Sequence, residues 1–429
     1  MALENIQAGA AEAPQPPSGF PAYLFAHGAW FLAFGVQVVL FPYLVRVVLQ
    51  ESEIRFGLAQ MALQLPTTLL ILVGGFAADR GDARKIVVAA CGLAVLTFLT
   101  LGGLVTSGRL TYGLMIGYAV TVGVIGAFAT PARDSLLSLV APGTGSAAIQ
   151  KAVAFASLAQ FGAQILGMLL AAAAPFFGIG PLLLGQAGLM VLAAFAAASL
   201  RPRPAFRRER GAGGLLARMG SDIKGGLAAA AASPVIAPVV ICATAMGVCF
   251  MGSFFVLLPL IVESYFVADI QTDPTRIASA LGLFSLCFWS GSIISAMVLV
   301  RLGGLPRKGL IYLCALATGA LVLIGCSIPM PFPALCVMNF IWGLGGGVAM
   351  TLGRGLVQEY APEESRGRVL SIFTLGLMGG GPLGAVAYGF LAKALGAHTA
   401  ILIPGLMMLV LVAAVFTFSK LKTVGDSHA

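Results

Sequence analysis

Apolar residues in this chain are grouped into twelve long runs that are separated by short polar breaks. The runs cover approximately residues 22–48, 56–78, 86–106, 110–130, 149–172, 178–200, 235–262, 278–300, 309–328, 332–353, 367–392 and 398–419. Most are as long as the roughly 20 residues that a helix needs to cross a bilayer. Backbone groups in lipid must satisfy one another's hydrogen bonds, so runs of this length indicate helices. The pattern predicts an all-α membrane protein with twelve transmembrane helices.

Composition supports the same class. Of the 429 residues, 59% are hydrophobic and only 10% are charged, whereas a soluble domain has about 25% charged residues. The net charge of +9 would suit a nucleic-acid partner, but the basic residues lie between apolar runs, where membrane proteins carry their orienting Lys and Arg. We therefore expect the lipid bilayer as a partner and no nucleic acid. We also expect a carrier and not an enzyme.

The basic residues predict the orientation. With the N-terminus in the cytoplasm, 20 of the 25 Lys and Arg residues face the cytoplasm, as the positive-inside rule requires. Both termini are then cytoplasmic, in a bacterial inner membrane or a membrane derived from it. Residues 1–20 contain no Lys or Arg and several prolines, so we expect a disordered cytoplasmic tail and not a signal peptide. Residues 421–429 are expected to form the second tail.

The longest polar break, residues 201–233, follows the sixth run and divides the chain into two halves. We interpret residues 21–200 as an N-terminal six-helix bundle, 201–233 as a cytoplasmic linker and 234–420 as a C-terminal six-helix bundle. Residues 39–45 match 256–262, and Thr-x-x-Arg at the end of the fourth run recurs at the end of the tenth. Such ordered matches indicate duplication and hence two pseudo-symmetric halves. A substrate site between the halves, near the bilayer midplane, is typical of this architecture.

The polar loop after the second run carries a specific motif, Gly-Phe-Ala-Ala-Asp-Arg-Gly-Asp-Ala-Arg-Lys at residues 75–85. It resembles the signature loop of the major facilitator superfamily, Gly-x-x-x-Asp-Arg-x-Gly-Arg-Arg, except that Asp82 replaces the second glycine. We expect Gly75 to allow close helix approach and Asp79 to meet a neighbouring helix N-terminus. The resemblance implies that Asp79 helps to latch the outward-facing state.

Two further segments narrow the resemblance. Residues 130–134 read Thr-Pro-Ala-Arg-Asp, and residues 366–369 read Arg-Gly-Arg-Val. Both resemble the branch of the superfamily that holds the enterobactin exporter and the macrolide efflux proteins, the third drug–proton antiporter family. This resemblance implies a secondary transporter that works by alternating access and exports amphiphilic small molecules or siderophores. The alternatives are an iron-handling permease, similar to those of magnetosome membranes, and a transport-dead sensor or scaffold.

Charged residues suggest a gate at each membrane face. The repeat alignment places Arg46 opposite Glu263, just after the two matched prolines, and predicts an outer-gate ion pair. At the cytoplasmic face we expect a ring of charge in which pairs such as Asp79–Arg133 hold the inner gate shut. The candidate inner-gate residues are Gly75, Asp79, Arg80, Arg84, Lys85, Arg133, Asp134, Glu359, Arg366 and Arg368.

Amides and aromatic rings are the groups available to line the cavity. They suit a bulky, partly apolar ligand better than a bare ion or a sugar. We expect no cofactor and no metal site, since the seven cysteines form no Cys-x-x-Cys pair. No Asp or Glu lies at mid-depth, so proton coupling would use a boundary acid, and facilitated diffusion is the alternative. We expect a monomer. The candidate cavity residues are Gln37, Gln64, Gln160, Gln164, Trp289, Asn339 and Trp342.

Overall fold

The computed structural model describes residues 19–142, 146–202, 215–302, 305–363 and 365–424. Within these ranges, twelve helices are long and apolar enough to cross a membrane, which confirms the predicted fold class. The predicted N-terminal tail lies outside them except for its last two residues, as do the last five residues of the chain. The helices of the first half are α1 (Phe20–Val48), α2 (Glu53–Arg80), α3 (Ala83–Thr106), α4 (Tyr112–Val140), α5 (Ser146–Ala172) and α6 (Ile179–Ala198). Those of the second half are α7 (Ile236–Tyr265), α8 (Thr275–Leu302), α9 (Lys308–Gly325), α10 (Phe332–Tyr360), α11 (Arg366–Leu395) and α12 (Ala397–Phe418).

The two halves pack their helices in the same way. In the first half, α1 packs on α5, α2 on α4 and α3 on α6. In the second half, α7 packs on α11, α8 on α10 and α9 on α12. Each pair in the first half therefore has a counterpart six helices later, as a duplicated six-helix bundle requires.

Local capping explains where several helices begin. The side chain of Ser52 caps α2, and that of Thr111 caps α4. Asp82, which stands where the signature loop has a glycine, accepts hydrogen bonds from the backbone N–H groups of Arg84 (3.0 Å) and Lys85 (3.3 Å). A carboxylate at this position satisfies N–H groups that the first helical turn leaves free. The departure from the signature loop thus has a structural role in starting α3.

Two helices continue by seven or more residues beyond the ends of the apolar runs that predicted them. The fourth run was predicted to end at residue 130 and the tenth at 353, whereas α4 continues to Val140 and α10 to Tyr360. Arg133 and Asp134 lower the local hydropathy, but an α-helix tolerates polar side chains without breaking. The charged stretch therefore forms the last turns of α4, and only the approximate end of the apolar run was too early.

The predicted linker contains a helix, Leu215–Ala232, in its described part. This helix packs on the start of α11, where a Cβ added to Gly226 would lie 2.8 Å from the carbonyl oxygen of Arg368. The close contact between this helix and α11 holds the second half of the linker against the C-terminal bundle.

Both ends of the described chain emerge at the same end of the bundle. Gly19, just before α1, lies against Leu200 after α6, and Leu421 after α12 lies against Gly309 at the start of α9. We call this the terminal end. The opposite end, where α1 and α7 finish and α2 and α8 begin, is called the Arg46 end.

Candidate functional site

The two halves are joined at the Arg46 end by a bidentate ion pair. Arg46 lies in a π-helical turn, Leu44–Val48, that finishes α1, and Glu263 lies in the last turns of α7. Arg46 Nε donates to Glu263 Oε2 at 2.8 Å, and Arg46 Nη2 donates to Oε1 at 3.0 Å. The side chains are only 16% and 13% exposed. Two parallel charge-assisted bonds in a half-buried place make a specific contact that is worth more than an ordinary surface pair.

Arg46 also holds α2, which the sequence did not predict. Its Nη2 lies 3.5 Å from Glu53 Oε1, and its Nη1 donates to the backbone carbonyl of Glu51. One guanidinium therefore ties α1 to α2 in its own half and to α7 in the other. Glu53 is in the first turn of α2 and reads in the sequence only as an acid that suits a helix N-terminus.

Close backbone packing joins α2 and α11 near the same end. A Cβ added to Gly57 would lie 2.5 Å from the carbonyl oxygen of Ala385 and 3.1 Å from Gly389 Cα. Further along, Thr68 Oγ1 donates to the carbonyl oxygen of Met378 at 3.3 Å. Small residues allow membrane helices to approach this closely.

The counterpart seam between α5 and α8 is closed at the same end. Ser279 Oγ donates to the carbonyl oxygen of Ala172 at 2.6 Å. A Cβ added to Gly282 would lie 2.6 Å from Ala172 Cβ. The apolar space left between α1, α7 and α8 is about 10 Å³, which is at or below the room that one water molecule needs. Both seams between the halves are therefore closely packed at the Arg46 end.

Beyond Thr68 and Met378, towards the terminal end, α2 and α11 diverge around a cleft of about 210 Å³. Its walls are mainly apolar and carry three hydroxyl groups. They are formed by Thr68, Ile71, Leu72, Leu370, Ser371, Thr374, Leu375 and Met378. Thr68 on α2 and Met378 on α11 mark the point where the close packing stops and the cleft begins.

The signature loop differs in part from its prediction. The side chains of Asp79 and Arg80 lie outside the described residues, so the Asp79–Arg133 pair stays a prediction. A Cβ on Gly75 would have no neighbour within 4 Å, whereas one on Gly74 would clash with the carbonyl oxygen of Ala127 in α4. The expectation that Gly75 allows close helix approach is wrong by one residue, because the packed face of α2 passes through Gly74.

Several other candidate inner-gate residues contact their own half. Arg84 Nη1 donates to the carbonyl oxygen of Leu200 at 3.0 Å, beside the end of α6. Lys85 contributes its backbone N–H to the Asp82 cap. Glu359 pairs with Lys308 at 2.7 Å within the second half. Arg366 Nε is buried and has no hydrogen-bond partner, and Arg368 lies against the linker helix.

Arg133 is buried inside the first half and does not lie in an exposed ring of charge. Only 4% of it is exposed. Its Cζ lies 4.7 Å from the ring centre of Trp30 and 5.0 Å from that of Phe31, both on α1. Asp134, the next residue, is exposed and interacts electrostatically with Arg133 and with Arg354 of the second half. The sequence hint that was missed is the stripe of aromatic and polar residues on α1, which begins with Tyr23 and His27.

The predicted cavity residues fall into two groups. Gln37, Gln64, Gln164 and Trp289 each have a buried N–H group without a hydrogen-bond partner, and Gln160 is half-buried on α5. Unsatisfied buried donors are costly, so such groups are candidates for ligand contacts.

The second group packs within the C-terminal half. Asn339 Nδ2 donates to the carbonyl oxygen of Phe284 at 2.7 Å, across to α8. Trp342 is 2% exposed and packs against Phe250, Phe254 and Phe288. In the part of the chain that the structure describes, His, Cys, Asp and Glu residues form no group of three or more that could hold a metal ion.

Comparisons with known proteins agree on the fold. Residues 243–427 match the family described as Major Facilitator Superfamily. An MFS-type transporter, hepF of Aspergillus oryzae, is 36% identical over 73 residues, a match that spans 17% of this chain and 15% of that protein.

Solved structures resemble the whole chain. The nucleoside transporter NupG has a TM-score of 0.72 at 13% identity and covers 93% of this chain and 98% of its own. The D-xylose–proton symporter has a TM-score of 0.71 at 15% identity, with 95% and 98% covered. A POT peptide transporter in complex with sulfate has a TM-score of 0.72 at 15% identity, with 97% and 99% covered. The matched proteins are transporters and not enzymes.

Proposed function

We propose that this chain, which has the fold of the major facilitator superfamily, is a secondary transporter that works by alternating access. The observation that carries the proposal is the asymmetry of the contacts between the halves. Arg46, Glu263 and the Gly57 contact close one end, whereas α2 and α11 part at the other. With both termini in the cytoplasm of a bacterial cell, this arrangement is the inward-open state.

For the cargo we propose amphiphilic small molecules or siderophores, carried outward. The mainly apolar cleft with its few hydroxyls, and the unsatisfied amide donors of Gln37, Gln64 and Gln164, support a ligand with both apolar and polar parts. The resemblance to the enterobactin-exporter and macrolide-efflux branch supports the same class. An iron-handling permease is the second candidate, and a scaffold without transport is the third.

Proton coupling through a boundary acid is part of the proposal. Glu263 is the acid best placed for it, because its carboxylate forms the ion pair that joins the halves. Protonating this carboxylate would weaken the bond to Arg46 and favour opening of the Arg46 end. We propose that the protein works as a monomer in the bacterial inner membrane.

Everted membrane vesicles test this function, because their cytoplasmic face is outside and export appears as uptake. We expect vesicles that contain the protein to accumulate at least one of three amphiphilic probes several-fold above empty-vector vesicles. The probes are ethidium, N-phenyl-1-naphthylamine and 8-anilinonaphthalene-1-sulfonate. Radiolabelled iron should not accumulate, and a protonophore should abolish probe uptake if protons drive it.

Two outcomes would change the proposal. Uptake of ionic iron without uptake of any amphiphile would establish the iron permease instead. No transport of either kind, with the protein present in the vesicles at normal abundance, would favour the scaffold.

A further inference from the structure

Arg133 occupies an unusual environment for a charged residue. Trp30 and Phe31 contact its guanidinium, and Trp30 itself packs on Ala90, Ile125 and Ala129. Arg133 Nε and Nη2 lie 3.3 and 3.5 Å from Ala129 O and Thr130 Oγ1, acceptors on its own helix. Two aromatic rings and one helical turn thus hold the planar group in place.

Among the described side chains, the guanidinium of Arg133 has no hydrogen-bonded counter-charge, and the neighbouring carboxylate of Asp134 attracts it only at longer range. Among the described side chains, no carboxylate forms a salt bridge with Arg133 within 4.0 Å, and the adjacent Asp134 is exposed. Among the described residues, none is a hydrogen-bond partner of the buried Arg133 Nη1. A buried charge without a hydrogen-bonded counter-charge is costly, so an anion that reached this group would gain binding free energy.

A second unsatisfied donor or acceptor lies beside it. His27, on the same face of α1 as Trp30 and Phe31, is 6% exposed, and its Nε2 has no hydrogen bond within 3.5 Å. Tyr23 links the two residues, since its hydroxyl donates to the carbonyl oxygen of Arg133 (3.1 Å) and lies 3.4 Å from His27 Nδ1. The side chain of Gln160 on α5 is a hydrogen-bonding neighbour of His27 at a distance beyond 3.5 Å. Polar side chains of α1 and α5 therefore lie in the same part of the first half as Arg133.

The second half offers an internal comparison. The repeat matches Arg133 with Arg354, but Arg354 is exposed. The part of α7 that corresponds to this stretch of α1, residues 236–248, contains no aromatic residue and no histidine. The second half therefore folds without aromatic rings around Arg354. The need to pack six helices does not by itself explain why the first half places two rings against Arg133.

We propose that Arg133, between Trp30 and Phe31, binds the anionic group of an amphiphilic organic acid. A carboxylate, sulfonate or phosphate oxygen accepts a charge-assisted hydrogen bond from Nη1, and the two rings contact the apolar body of the ligand. Arg133 contacts α1 about three turns from its start at Phe20, which places the site in the part of the first half that is nearer the terminal end. This inference names the substrate class of the transporter and rests on the proposed function.

Two fluorescent probes with the same aromatic skeleton test the site. 8-Anilinonaphthalene-1-sulfonate carries a sulfonate, and N-phenyl-1-naphthylamine lacks it. Binding is measured with the full chain in zwitterionic lipid nanodiscs, by energy transfer from tryptophan. Trp30, Trp289 and Trp342 are the three tryptophans, so a Trp289→Phe/Trp342→Phe background restricts the signal to Trp30.

Arg133→Gln is expected to weaken binding of the sulfonate probe about tenfold or more, since a charge-assisted bond is lost. The neutral probe should change less than about twofold, because its apolar contacts with the rings remain. Arg133→Lys keeps the charge but loses the planar fork, so we expect an intermediate loss. The matched control Arg354→Gln should leave both affinities unchanged.

Equal effects of Arg133→Gln on both probes would overturn the proposal, because they would indicate altered packing. No effect on either probe would also overturn it, as binding would then be partition into lipid or another site. Measuring transport in vesicles distinguishes failure of the anion site from failure of the proposed transport function. If wild type transports any of the three probes but Arg133→Gln binds the sulfonate probe normally, only the anion site is wrong. If wild type transports nothing, the proposed function fails even where the anion binds.

Discussion

Reversing either charge of the Arg46–Glu263 pair is expected to reduce uptake of the probe that wild type transports into everted vesicles by about tenfold or more. In Arg46→Glu, the new carboxylate would face Glu263 and Glu53, which lie 2.8 and 3.5 Å from the native guanidinium. Like charges in a half-buried place repel strongly, so the Arg46 end would no longer close. A transporter that cannot close one end cannot alternate. Glu263→Arg should fail for the same reason.

Exchanging the two charges, so that the ion pair forms again with opposite polarity, tests the contact itself. Arg46→Glu/Glu263→Arg should recover only part of the uptake, because residue 46 would still face Glu53. Adding Glu53→Gln removes that repulsion, and we expect uptake within about threefold of wild type, the usual scale of incomplete additivity between neighbouring sites. A triple variant that reaches the membrane normally but stays inactive would argue against the pair as a gate.

The control for these variants is Arg276→Glu. Arg276 also lies near the Arg46 end, but it is 64% exposed and pairs with Asp269 and Asp273 in its own segment. An exposed pair within one half contributes about 0–1 kcal/mol and does not link the halves. Uptake should therefore stay within about twofold of wild type. A loss as large as that of Arg46→Glu would mean that any charge change at this end is harmful.

Gly57→Ala is expected to reduce uptake by about fivefold or more, although it adds only one methyl group. The added Cβ would lie 2.5 Å from the carbonyl oxygen of Ala385, a backbone atom that cannot rotate away. Helices α2 and α11 would have to separate, which destabilises the state closed at the Arg46 end. Amide hydrogen exchange should rise in the last turns of α1 and α7, because the ion pair there depends on that closure.

Gly113→Ala provides the matched control. Gly113 lies in the first turn of α4, at the same end of the bundle, and a Cβ there would have no neighbour within 4 Å. Alanine is favoured over glycine inside a helix by about 1 kcal/mol, so both variants gain helix propensity and only Gly57→Ala gains a clash. Equal uptake by the two variants would contradict the close seam between α2 and α11.

Some site geometry was predictable because it follows from the duplication. The repeat places Arg46 and Glu263 after matched prolines on α1 and α7, and two corresponding helices of a pseudo-symmetric protein face each other. The structure brings these two residues to 2.8 Å. Their role in gating stays a prediction until the charge reversals are made.

Other parts of the site had no sequence signal of that kind. Glu53 reads as an ordinary acid at a helix start, and its contact with Arg46 depends on how α2 leans on α1. Arg133 reads as an interfacial charge, because hydropathy ends the fourth run before it. Its burial depends on α1 placing Trp30 and Phe31 against α4.

The sequence by itself determined the twelve helices and the division into two halves. These properties depend on local hydropathy and on contacts a few residues apart, which the order of residues encodes directly. Only the tertiary structure decided which helix faces meet, that Gly74 packs where Gly75 was expected, and which end of the bundle is closed. Each of these depends on how rigid helices rotate and lean against one another, because a difference of one residue turns a helix face by about 100 degrees. Hydropathy does not record that rotation, since in lipid both faces of a helix are apolar.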